Sequence, residues 1–177
     1  MRRMAPMALL LLAACSGGDK DKQAEADKVP AVPAVPEAAP AAPAAAQESV
    51  PDYIADPAVK PPAQPDPGIG RGEAAIPVAI RGRWALKAAD CKAKRGTDLT
   101  ALTIDATSLS FYESHGQLAH VREHSAMRLV ADYKFSGEGE DWDRLMQLTV
   151  VDGGKTLVRR DYGEGAAPDP MRYSRCG

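Results

Sequence analysis

Apolar and polar residues alternate along much of the C-terminal part of the chain. Over 127–135, Met127, Leu129, Ala131, Tyr133 and Phe135 fall on every second position, while Arg128, Asp132 and Lys134 take most of the others. Successive side chains of a strand point to opposite faces, so this pattern predicts a strand with one buried face. Seven further runs rich in β-branched, aromatic or alternating residues lie at 80–86, 102–105, 109–113, 118–123, 142–151, 156–162 and 171–176. Turn-forming residues punctuate them, and no stretch in this region carries a capped helical period. The expectation is an all-β fold: a small antiparallel, closed or nearly closed barrel of about 8 strands in sequence order, because closure removes the unpaired edges of an open sheet.

Turn chemistry suggests where the strands are joined. Gly116, and Gly153-Gly154 after Asp152, supply residues that accept positive φ. A three-residue loop at 115–117 would place Phe111 opposite Val121 and Glu113 opposite Ala119, pairing apolar with apolar across the hairpin. The acidic stretch 136–141 predicts a further turn between two of the longest strands. Residues 87–100 read as mostly loop.

Composition divides the 177 residues into three unlike segments, which the overall charge of −2 conceals. Between 19 and 75 lie eleven of the fifteen prolines and, of the aromatic residues, Tyr53 alone. Such a stretch has little apolar surface to offset its ordering entropy, and its prolines favour extended polyproline II structure. The expectation is a disordered Pro/Ala-rich tether over 15–75. The remaining 76–177 holds the other aromatic residues and one more base than acids. That balance gives no reason to expect a nucleic-acid partner.

The N-terminus carries Arg2 and Arg3, an apolar run over 7–12, and then Ala13-Ala14-Cys15. The run is too short to span a bilayer. In order and depth these residues resemble the signal peptide and lipobox of bacterial lipoproteins. The resemblance implies removal of 1–14 and acylation of Cys15 with chains such as palmitate. Ser16, by the same analogy, implies transfer to the outer membrane, with the domain in the periplasm. The other reading is an ordinary cleaved secretory signal.

In an oxidising compartment Cys91 and Cys176 form an even pair and are expected to be disulfide-bonded, tying the loop after the first strand to the last strand. Gly82-Arg83-Trp84 resembles the GxW signature of calycin-like barrels, a group that includes lipocalins and periplasmic metalloprotease inhibitors. The resemblance implies that Trp84 plugs one barrel end beneath an arginine of the last strand, Arg172 or Arg175. A Trp that simply fills the core is the alternative.

The remaining chemistry is sparse. His120 and His124 on one strand would stand about 13 Å apart, too far to share a metal ion, and His115 falls in the expected turn. Glu138, Glu140, Asp141 and Asp143 lack the spacing of a calcium loop. No nucleophile elbow or phosphate loop accompanies the serines and glycines. Neither a metal nor a cofactor is expected, and no catalytic residue is assigned. Arg159 and Arg160, with Arg81, Arg83, Arg172 and Arg175, are the candidate basic binding group, although adjacent Arg159 and Arg160 point to opposite faces.

The expected function is therefore that of a lipid-anchored, non-catalytic binding module for an envelope protein or for peptidoglycan. One form is a hydrolase inhibitor whose exposed segment 76–80 enters the enzyme cleft. The alternatives are a small-ligand carrier, which the bulk of Leu109, Phe111, Tyr133, Phe135 and Met146 argues against, and a structural envelope spacer.

Overall fold

The computed structural model describes residues 49–94 and 96–177. The expected signal peptide, Cys15 and the first part of the expected tether lie outside the described residues. Eight strands form: β1 (Gly82–Ala85), β2 (Ala101–Ile104), β3 (Ser108–Ser110), β4 (Ser114–His124), β5 (Arg128–Gly137), β6 (Glu140–Val151), β7 (Thr156–Tyr162) and β8 (Met171–Arg175). Each pairs antiparallel with the next, and β8 returns to β1 through Trp84 opposite Arg175 and Ala85 opposite Ser174. The result is a closed barrel in chain order.

Period-two alternation positions the core. Leu129, Ala131, Tyr133 and Phe135 of β5 point into the barrel, facing Leu148, Met146, Arg144 and Trp142 of β6 across the register. Met127, expected on the same face, falls just before the strand and is 39% exposed. Leu102, Leu109, Leu118, Leu157 and Tyr173 complete the packed interior. Bulky aliphatic and aromatic side chains thus fill the middle of an eight-stranded barrel, whose diameter leaves little room beyond its own side chains.

One hairpin differs from expectation. The β3–β4 loop is 111–113, and Leu109 faces Gly116 while Ser110 faces His115, so residues 115–117 are strand rather than turn. Gly116 is there for close packing: a Cβ at this position would come within 2.7 Å of the Phe135 ring. The glycine leaves space for an aromatic ring inside the barrel and does not supply positive φ. Two register shifts in β4, between Leu118 and His120 and between Val121 and Glu123, further displace the pairing that strict alternation gives. The acidic β5–β6 turn does form tightly, with Glu138 and Gly139 both at positive φ.

The outer wall holds the second difference. The expected tether ran to Ala75, but its described part lies along the barrel. Gln147, on the outer face of β6, donates from Nε2 to the Pro51 carbonyl and accepts the Tyr53 N–H at Oε1, both at 2.9 Å. The Tyr162 hydroxyl also accepts from Tyr53 N–H, and the two tyrosine rings meet edge to face at 5.9 Å. Further along, Arg122 donates to the Val59 carbonyl, Asp66 N–H donates to the Ala119 carbonyl, and the Asp66 carboxylate pairs with His120. Ile76 and Ile80 then enter the core, fully buried. The segment runs as extended stretches broken by turns, with a 3-10 turn at Gly72–Ala74, and its few polar and aromatic groups find partners on the wall, which composition does not read. This covering explains why Asp132 and Gln147 are buried on a face where water was expected.

Candidate functional site

The two ends of the barrel are unlike. At the end of the β6–β7 turn, Trp84 is fully buried and donates from Nε1 to the Ile80 carbonyl at 2.8 Å. Arg175 lies over its ring at 3.9 Å from the centroid. The guanidinium also donates to the carbonyls of Gly154, Arg81 and Ala79. Of the two arginines proposed for this position, Arg175 occupies it; Arg172 faces outward and pairs with Asp152 at 3.4 Å.

Outside this plug, Arg83 pairs with Asp98 and donates to the Asp90 carbonyl, holding the 3-10 turn Ala88–Cys91 near β1. Cys176 N–H donates to the Arg83 carbonyl. The Cys91–Cys176 disulfide therefore joins the long β1–β2 loop to the end of β8 across 85 residues. The side chain and N–H of Thr100 hold the Asp90 carboxyl below its ordinary range.

Segment 76–80, expected as an exposed insert for an enzyme cleft, is built into this closed end. Ile76 and Ile80 are core residues and Ile80 accepts the Trp84 hydrogen bond. Only Val78 of its large apolar residues projects outward. A segment anchored in this way is part of the plug.

The opposite end, at the β3–β4 and β5–β6 turns, opens into a cleft of about 590 Å³. Phe111, Phe135 and Trp142 form its aromatic wall; Trp142 stacks on Phe135 with centroids 5.4 Å apart and planes at 15°. Arg144, Arg159, Asp161, Glu113 and Ser114 line the rest, and Leu99 and Tyr112 stand exposed on the rim.

Arg159 lies at the base. It faces Leu148 across the β6–β7 register, which turns it inward, and its guanidinium lies 4.7 Å from the Phe111 centroid. It donates twice to the Asp161 carboxylate, at 2.7 and 2.6 Å, and more distantly to the Tyr173 hydroxyl. Burial works against its charge, but the bonds to Asp161 outweigh that and raise its basicity. Deeper on β5, Tyr133 is buried, and its hydroxyl has no hydrogen-bond partner among the described residues. Burial raises its pKa strongly.

The proposed basic patch does not assemble. Arg159 is inside the mouth, whereas Arg160, one residue on and therefore on the other face, pairs with Asp52 of the segment along the outer wall. With Arg172 on Asp152, Arg175 on Trp84, Arg83 on Asp98 and Arg81 donating to the Ile76 carbonyl, each of the six arginines has partners of its own and they do not form one patch. Among the described residues no group of His, Cys, Asp and Glu is arranged to hold a metal ion. His115 lies near Ser110, His120 pairs with Asp66, and Asp143 of the acidic turn pairs with Lys134.

Sequence reasoning did not assemble the mouth residues, although a signal for them is present. On β6 the inward parity reads Trp142, Arg144, Met146, Leu148, and on β7 it reads Leu157, Arg159, Asp161. A charge entering an apolar parity near a strand end marks a place where the interior meets water.

No protein-family model, no curated protein and no solved structure matches the chain.

Proposed function

We propose that this is a lipid-anchored outer-membrane protein whose barrel is a non-catalytic binding module in the periplasm, holding its envelope ligand or partner at the open mouth. The observation that carries the reading is the asymmetry of the barrel. One end is closed by Trp84 under Arg175, and the other presents a cleft of about 590 Å³ with aromatic, charged and hydroxyl groups converging on it. Concave sites with apolar walls and a few placed polar groups are where proteins hold ligands.

The anchor rests on the lipobox resemblance at Cys15, and the calycin-like resemblance accords with a Trp under a last-strand arginine. Carriage of a ligand deep in the barrel is disfavoured, since Leu102, Leu109, Leu118, Met146 and Leu148 fill that space. A pure spacer role gives no reason for an aromatic cleft with buried charge.

The test compares retention of the chain from Ser16 to Gly177 on washed envelope fractions with that of two variants. Trp142→Ala with Arg144→Ala alters the mouth; Arg172→Ala alters the closed end. Loss of retention in the mouth variant alone supports the reading. Equal retention by all three, with the mouth variant folded by circular dichroism, overturns it.

A further inference from the structure

We infer that the mouth binds a neutral pyranose ring, such as one sugar unit of an envelope glycan, an assignment that rests on the mouth being the binding site. Charge decides against an anion. The cleft is lined by two cationic and two anionic side chains, Arg144 and Arg159 against Glu113 and Asp161. The buried cation is already committed twice to Asp161, and Arg144 donates to the Glu164 carbonyl at 2.7 Å. An added carboxylate or phosphate would meet no free buried cation and would face two acids of its own sign.

An acyl chain fits no better. The cleft does not lead to a tunnel, because Phe135 and Tyr133 belong to the packed core beneath it. The innermost lining groups are an ion pair, which an apolar ligand would strip of water without replacing the lost hydrogen bonds.

A pyranose suits both kinds of wall. Its C–H face packs on aromatic rings, which Trp142, stacked on Phe135, and Phe111 provide. Its hydroxyls both donate and accept, and so match carboxylates at Glu113 and Asp161, guanidinium N–H groups at Arg144, and the Ser114 hydroxyl. The exposed Leu99 and Tyr112 widen the apolar rim for adjoining units of a chain.

The experiment is amide chemical-shift mapping of the chain from Ser16 to Gly177, titrated separately with cellotetraose, chitotetraose and laurate. Trp142 side-chain fluorescence serves as a second readout. The expected result is that one or both oligosaccharides shift residues 111–114, 142–144 and 159–161. Glu113→Gln and Ser114→Ala, both on exposed or half-exposed positions, should each weaken that binding by about tenfold. Shifts at the mouth with laurate alone overturn the sugar assignment and leave mouth binding standing. Saccharide shifts confined to other faces, or no shifts with any probe, overturn the sugar assignment, and envelope retention unaffected by the mouth variant then overturns the broader reading as well.

Discussion

Arg175 lies 3.9 Å above the ring of Trp84 and donates to three backbone carbonyls that belong to two different turns at the same barrel end. One side chain of the last strand thereby fixes the entry to the first strand, the β6–β7 turn and the indole that fills the space between them. Arg175→Ala should lower unfolding free energy by about 2–3 kcal/mol, combining a cation–π contact with hydrogen bonds to a charged group. Arg172→Ala, which removes only an exposed pair with Asp152, should change it by about 0.5 kcal/mol or less. Urea denaturation of the two variants checks the contrast.

The Cys91–Cys176 bond encloses nearly the whole barrel sequence. Replacing both cysteines by serine should destabilise the protein by about 2–5 kcal/mol, chiefly through the unfolded chain. The strands themselves do not depend on it, so the far-ultraviolet circular dichroism of the folded variant should match the parent. Loss of the β signal at low temperature would contradict that division.

The segment along the outer wall is held through Gln147, which pairs with both Pro51 and Tyr53. Tyr53→Ala keeps these backbone hydrogen bonds but removes the ring that meets Tyr162 edge to face, so it should cost about 1–2 kcal/mol and raise hydrogen exchange at residues 51–59 before it raises exchange in β5. A chain starting at residue 76 would leave Gln147 and the Arg122–Asp132 pair open to water. It should be less stable than a chain starting at 49, as thermal unfolding of the two would show.

Acid weakens the β2–β3 turn. Burial disfavours ionised Asp105, but hydrogen bonds from the Thr107 N–H and from the hydroxyl and N–H of Ser108 outweigh it and place the carboxyl below its ordinary value of 3.8. A depressed folded pKa stabilises the protein above the unfolded value, and that contribution disappears as pH falls through the folded value. Asp105→Asn should therefore be less stable than the parent at neutral pH, with the difference shrinking below about pH 4. Urea midpoints measured across that range give the answer; a gap that widens in acid would contradict it.

The fold was legible because period-two alternation in β5 and β6 survives on the inner face, where packing enforces it. The Cys91–Cys176 pair was equally readable, from an even count after Cys15 is set aside. The β3–β4 register was not: Gly116 reads locally as a turn residue, and only the ring of Phe135, nineteen residues away, makes it a packing glycine. That Arg159 and Arg160 face opposite ways was readable from strand parity, but their partners were not: Asp161 holds Arg159 inside the mouth, and Asp52, from the proline-rich stretch, pairs with Arg160 on the outer wall. Tyr53 and Asp66 lie in a proline-rich stretch whose composition describes an isolated chain, while their partners Gln147, Tyr162 and His120 are supplied by a wall formed far along the sequence.

A photo-crosslinking residue at position 113 on the mouth rim, compared with one at position 172 beside the closed end, tests the binding-module account most directly when both chains are irradiated in intact envelopes. The account predicts a discrete adduct from position 113 and none from position 172. Adducts from 172 alone, or from neither position in a folded and correctly located protein, would contradict it.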